Sequence, residues 1–223
     1  SGTNSSYTSQ KGVINPPSVL NSALNFLFFT DGRVRSLKDQ VKESINSRNE
    51  LNSNKDEIVK KVKSIGEYGI LFNDAYSDGI NYENIVGALA EFEKAILSID
   101  SPFDEYLAGN DDSINAEAKK GFELFNKVGC VACHNGRNLG GNLMQNVGLK
   151  DASESRRLMR VPSLRNVART APYLSSGEMS DLKEVIGFVS YHQLIHTLNS
   201  EEIGQIYKFL LTLNGRRPRI LNE

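Results

Sequence analysis

The chain has 223 residues, 39% of them hydrophobic and 24% charged, with a formal net charge of -1. That length is enough for one large or two small buried cores, and so balanced a charge sets up no long-range field to attract nucleic acid or an anionic membrane surface. The longest apolar runs, ALNFLFF at 23–29 and FLLTL at 209–213, fall far short of the roughly 20 residues a membrane span needs.

Residues 1–12 are rich in Ser, Gly, Asn and Thr and are expected to form a flexible N-terminal segment. No charged-then-apolar leader precedes them, so any export signal is expected to have been removed or to lie outside this chain. Order is expected from NPPSVLN onward, where apolar residues recur at spacings of three and four behind Asn or Ser, a helical pattern. Asn54 heads NKDEIVKKV, with Glu57 placed to complete a capping box. Asn81 heads NYENIVGALAEFEKAILSID, where Ile85, Leu89, Phe92 and Ile96 are predicted to share one buried face. The polar stretch AGNDDSIN, 108–115, reads as a hinge and puts a domain boundary near residue 113. Next, NAEAKKGFELFNKVG stacks Ala118, Phe122 and Phe125 on one stripe and stops at Gly129. A loop rich in Gly and Asn is predicted to run to about residue 160, before helices that begin at Ser180 and Ser200, the last ending at Gly215. No segment reads as a strand, so the expected class is all-α.

The stretch KVGCVACHNGRNLGG, 127–141, holds both cysteines and one of the three histidines. Three chemistries compete for Cys130, Cys133 and His134. A thioredoxin-like CxxC pair needs an alternating strand and helix pattern around it, which is not visible. A zinc site would have to recruit His192 and His196, an H-x3-H pair whose distance along the chain is far from a zinc finger's. Covalent haem c needs nothing from elsewhere: two thiols spaced by two residues form thioethers to the porphyrin, and the adjacent imidazole binds the iron. That reading is the favoured one. It implies delivery of reduced thiols to haem outside the cytoplasm, so a bacterial periplasm is expected.

A wider match surrounds this motif. MRVPSLRNVARTAPYLSSGEMSDLKEVI, 159–186, resembles the segment that follows the C-terminal haem motif in bacterial di-haem cytochrome c peroxidases. FTDGRVRSLKDQ, 29–40, is similar to their segment between haem domains, and YENIVGALAEFEKAILSIDSPFDEYLAG to the helices that follow. The resemblance implies a cytochrome c fold, here 114–223, with an additional helical domain at 13–113. In such enzymes the C-terminal haem passes electrons to a second, peroxidatic haem held by an N-terminal domain, with a calcium ion between them. This chain has no second CxxCH, so the other haem is expected from a missing N-terminal domain or a haem-containing partner subunit.

Residue by residue, the resemblance implies that Asn15, Thr170 and Pro172 hold Ca2+, the first through its side chain and the others through backbone carbonyls. The plainer reading is that Asn15 caps a helix and TAPY is a turn. Gln40 and Glu50 match the residues over the open face of the peroxidatic haem, where Glu moves a proton between peroxide oxygens; the alternative is two solvated polar side chains. Four positions depart from the family pattern: Thr30 for an inter-haem Trp, Tyr7 for a haem-ligating His, Ser175 for His, and Val189 for the distal Met. Leu182, Val185, Val189 and His192 fall on one helical face, so His192 is the leading distal ligand, with Tyr191, Met179 and an open site as alternatives. His196 is expected at the surface. Among Arg156, Arg157, Arg160, Arg165 and Arg169, Arg165 is the one expected to face a haem propionate or to serve structure.

The function expected is therefore haem-based electron transfer in a peroxidase-type system, with one covalent haem c, a small redox protein as donor and hydrogen peroxide as oxidant. The rival is a stand-alone mono-haem carrier without peroxidase activity. Neither needs nucleic acid or a membrane span, and both are compatible with a dimer.

Overall fold

The computed structural model describes residues 15–147 and 157–221. The expected flexible segment 1–12, Tyr7 and Arg156 lie outside the described residues. Among the described residues eight α-helices dominate: α1 Leu37–Asn46, α2 Lys55–Lys63, α3 Gly66–Ala75, α4 Tyr82–Ala95, α5 Pro102–Leu107, α6 Ala116–Lys127, α7 Leu182–Leu194 and α8 Ser200–Leu211.

Their starts follow from side chains that satisfy free backbone N–H groups. Asn54, Asn81, Asn115 and Asp181 each accept from the first turn of the helix they precede, and Asn199 and Ser101 form full capping boxes with Glu202 and Asp104. The box expected at Asn54 is not completed, because the Glu57 carboxylate accepts from Ser53 Oγ instead (3.3 Å). The last helix stops at Leu211 rather than Gly215. Gly215 instead permits a close backbone approach, since a Cβ there would collide with the Ser98 carbonyl.

The expectation of no strands is overturned. β1, Met144–Val147, and β2, Arg157–Arg160, pair as an antiparallel ribbon with Met144 opposite Arg160. Strands of four residues, MQNV and RLMR, are too short to display an alternating apolar pattern against the polar loop around them.

Two apolar clusters form. The first joins α1 and α4 through Leu37, Val41, Ile45, Tyr82, Val86 and Ala90, with Phe28 beside them. The second collects Phe103 of α5, Ala118 and Phe125 of α6, Leu182 and Ile186 of α7, and Ile206, Phe209 and Leu210 of α8. At its centre Phe209 meets Phe103, Phe122 and Phe125 at ring-centroid distances of 5.0, 5.2 and 5.2 Å. The α6 stripe is thus as predicted, and Gly121 lets α6 cross α8 so closely that a Cβ there would strike the Gln205 carbonyl.

The α4 stripe differs from expectation. Ile85 and Ile96 are buried, but Leu89 and Phe92 remain 42% and 44% exposed. The helix turns Tyr82, Val86, Ala90 and Glu93 inward, because α1 packs on that side.

Buried amides tie the two clusters together. Asn21 exchanges hydrogen bonds with Ser98, donating from Nδ2 to its carbonyl (3.2 Å) and accepting its N–H (2.7 Å). Asn166 Oδ1 accepts from Ser98 Oγ and from the Gly215 N–H, both at 3.0 Å. Asn138 Nδ2 donates to Asn25 Oδ1 (2.7 Å).

Candidate functional site

Gly129, in the left-handed region at φ 97°, ends α6 and turns the chain into a single 3-10 turn, Cys130–Ala132. The Cys130 carbonyl accepts from both the Cys133 N–H (3.2 Å) and the His134 N–H (3.0 Å), so one turn of backbone holds the three residues together. Both thiols are free and half-buried. Burial pushes the Cys130 thiol up to about 11.

The His134 imidazole is half-buried. Burial holds it below its usual pKa, against the opposing pull of the Leu139 and Pro162 carbonyls, so the ring is neutral at neutral pH. With Nδ1–H donating to the Leu139 carbonyl (3.3 Å), Nε2 carries the free lone pair. An imidazole fixed by a carbonyl at Nδ1 and basic at Nε2 is a ready metal ligand. Gly140 (φ 134°) lets the Pro162 carbonyl come close, since a Cβ would overlap it. Two free thiols, a neutral oriented imidazole and a glycine-lined approach fit covalent haem c.

The other expected residues fall in three places. On α7, His192 packs at a tilt against Phe188 (ring centroids 4.2 Å) and edge-on against Tyr191 (5.1 Å), and its Nδ1 is buried without a hydrogen-bond partner among the described residues. Val189 is half-buried, whereas Tyr191 is 55% exposed and His196 is at the surface. Met179 pairs through its backbone with Tyr173.

At the second place, Asn15 Nδ2 donates to the Pro172 and Leu174 carbonyls at 2.9 and 3.1 Å, and the Asn15 N–H donates to the Ser175 carbonyl. The Thr170 hydroxyl donates to the Val167 carbonyl. Asn15 and Pro172 are thus brought together across the whole chain.

At the third, Gln40 on α1 donates to Ser44 Oγ (3.2 Å), and its Oε1 is buried without a partner among the described residues. The Leu51 N–H donates to the Ser44 carbonyl (3.3 Å), which folds the turn carrying half-buried Glu50 back on the end of α1.

Arg165 makes a bidentate pair with Asp104, Nη1 to Oδ2 at 2.8 Å and Nη2 to Oδ1 at 2.7 Å, and its Nε donates to the Arg137 carbonyl at 2.6 Å. Its fork is therefore filled by protein groups. No local pattern pointed to Asp104 as the partner, which lies 61 positions away. Nor did the arginine run single out Arg160, which is only 8% exposed; the GG pair at 140–141 was the available hint of close packing beside it.

A family profile described as di-haem cytochrome c peroxidase matches residues 1–112. Cytochrome c551 peroxidase of Pseudomonas aeruginosa is 35% identical, over 95% of this chain and 67% of that protein. The cytochrome c551 peroxidase of Nitrosomonas europaea is 33% identical, over 94% of this chain and 68% of its own. The fold is similar to the crystal structure of a MauG-like protein associated with microbial copper homeostasis, with a TM-score of 0.81 at 23% identity over 93% of this chain and 77% of that one. The profile covers the half of the chain without the haem motif, so the match does not depend on CVACH. No described helix is long and apolar enough to cross a membrane.

Proposed function

Because the chain belongs to the di-haem cytochrome c peroxidase family, we propose that it is a c-type cytochrome that carries electrons toward hydrogen peroxide reduction. One covalent haem is held by Cys130 and Cys133 and bound at iron by His134; a second is supplied by a missing N-terminal domain or a partner subunit. The observation that carries this reading is the CVACH turn with its half-buried, neutral imidazole anchored at Nδ1. When bound, haem c supplies one-electron chemistry at its iron.

This chain's residues contribute the rest. Leu139 fixes the tautomer of His134, and Phe125 packs against that ring at 6.4 Å between centroids. His192 is the favoured distal ligand, supported by its buried ring nitrogen without a partner among the described residues. Gln40 and Glu50 attend the second haem, where the Glu50 carboxylate moves a proton between peroxide oxygens. Asn15, Thr170 and Pro172 hold Ca2+ once the Asn15 amide turns its oxygen toward the metal, with water completing the shell. The chain divides at about residue 113 into a helical domain and a haem domain, with α5 of the first packed into the core of the second, resides in the periplasm, receives electrons from a small redox protein and is compatible with a dimer.

The rival reading, a mono-haem carrier without peroxidase activity, is favoured by one feature: Thr30 stands where an inter-haem Trp is usual. The deciding experiment pairs an alkaline pyridine haemochrome assay and intact mass with peroxide turnover by the complete assembly. Covalent haem, and turnover that falls at least tenfold in Glu50→Gln, toward the range of about a hundred- to ten-thousand-fold typical of acid-base help, is the expected result. Haem without turnover selects the carrier. Absence of covalent haem rejects both.

A further inference from the structure

Arg160 is a buried cation whose counter-charge is not among the described residues. Its backbone N–H donates to the Thr30 carbonyl at 2.7 Å and its Nε to the Phe29 carbonyl at 2.9 Å. Those bonds fix the stem and one edge of the guanidinium. Nη1 and Nη2, with four N–H groups, have no hydrogen-bond partner among the described residues, and Arg160 joins none of the ion pairs found there. The guanidinium is held below its usual pKa by burial alone, with nothing pulling it back.

A guanidinium stays charged at any ordinary pH, and burying such a charge alone costs several kcal/mol. An anion close to the Nη edge would offset that cost, and a side chain 8% exposed gives a docking protein little access.

The place of Arg160 says which anion. It ends β2, opposite Met144. Two positions on, the Pro162 carbonyl lies at the His134 ring; two residues of extended chain span at most about 7 Å. The haem loop closes on the same strand, since Gly141 N–H donates to the Val161 carbonyl (2.7 Å) and Val161 N–H to the Leu143 carbonyl (2.9 Å). Gly141 (φ 84°) lies between the Asn25 amide, whose Oδ1 a Cβ there would strike, and Nη1, 3.6 Å from that Cβ position, so the loop backbone comes close to the guanidinium. Haem c bears two propionate groups as its only anionic substituents.

We propose that Arg160, and not Arg165, holds a propionate of the haem bound by His134, through the Nη1 and Nη2 face that no described residue fills. The assignment rests on the haem c reading above. Its positive charge favours the ferrous over the ferric iron and so raises the haem potential. It also joins the haem to the Phe29–Thr30 backbone, the segment where the family usually places an aromatic bridge.

The test uses the full haem-loaded chain and its Arg160→Gln and Arg160→Lys variants, with the haemochrome assay run first so that loss of haem is scored against the haem c reading itself. At a fixed ambient potential, Arg160→Gln is expected to lower the ferrous-to-ferric ratio by roughly tenfold, equal to about 59 mV for one electron, and Arg160→Lys is expected to recover part of it. In resonance Raman spectra the haem propionate bending band should move in Arg160→Gln. An Arg165→Lys control should leave that band in place. A band unmoved in haem-bearing Arg160→Gln overturns the proposal and shows that the counter-charge is a side chain of the protein. A potential that drops equally in Gln and Lys variants also overturns it, because only disturbed packing would ignore the restored charge. If Arg160→Gln loads no haem, the Raman band of Arg160→Lys decides by the same criterion.

Discussion

Asp104 shows how one carboxylate serves a helix and a loop at once. It caps α5 by accepting the Ser101 N–H at 2.9 Å while it grips Arg165. Burial by itself raises its pKa, but hydrogen bonds from Arg165 and Ser101, helped by the charge of Arg165, outweigh that and bring it down to about 2. A carboxyl with a lowered folded-state pKa stabilises the protein above its unfolded value near 4, and that contribution fades as pH falls from about 4 to about 2. With the side chain 26% exposed, it amounts to about 1 to 2 kcal/mol after allowance for solvent screening. Urea titrations at pH 6 and pH 3 should show that loss in the wild type, and Asp104→Asn should show less of it. His192 makes a second test at this scale. If it is the distal ligand, the ferric protein is low-spin by electron paramagnetic resonance and His192→Ala turns it high-spin; an unaltered spectrum removes the assignment. Cys130, Cys133 and His134 were legible because their chemistry depends only on adjacent positions. The partners of Arg165 and Arg160 were not, since a run of arginines does not say which one the fold will bury.

Helix by helix, caps were easier to read than faces. Asn54, Asn81 and Asn115 announce their helices because capping is a contact of two or three residues. Which side of α4 is buried depends on α1, whose approach no local pattern encodes, and so Leu89 and Phe92 were placed inside when they lie half outside. The ribbon β1–β2 was missed for a related reason: its pairing bridges a loop, and four residues per strand carry little periodicity. At Gly121, α6 lies against the backbone of α8. Gly121→Ala should lower stability by about 1 to 3 kcal/mol, because the added methyl meets the Gln205 carbonyl carbon at 2.6 Å and neither backbone has room to shift. The same change at Gly204 of α8, where a Cβ would meet nothing within 4 Å, should be neutral or stabilising by up to about 1 kcal/mol. Thermal melts of the two variants decide this.

Taken whole, the molecule has two apolar clusters joined by buried amides, and the helix-rich cytochrome family could be read from motifs scattered over most of the chain. What could not be read was the seam. Asn21, Asn138 and Asn166 look like loop residues in sequence, yet each is at most 1% exposed. Their role depends on Ser98 and Gly215 arriving from distant positions. An unsatisfied buried donor costs about 1 to 3 kcal/mol, so this network holds the two clusters in one geometry, and with it Thr30 against Arg160.

The position of α5 bears on any attempt to dissect the protein. Although Pro102–Leu107 precede the stretch 108–115 that reads as a hinge in sequence, Phe103 sits in the aromatic cluster of α6 and α8, and Asp104 anchors Arg165. A fragment cut at residue 114 would leave a hole beside Phe209 and a lone guanidinium, and should give a collapsed, poorly melting product by circular dichroism. One begun near residue 97 retains both groups and should unfold cooperatively. The useful scissors point lies ahead of Ser98, so that the excised piece keeps the Ser98 bond to Asn166 and, of that serine's bonds, gives up only those to Asn21.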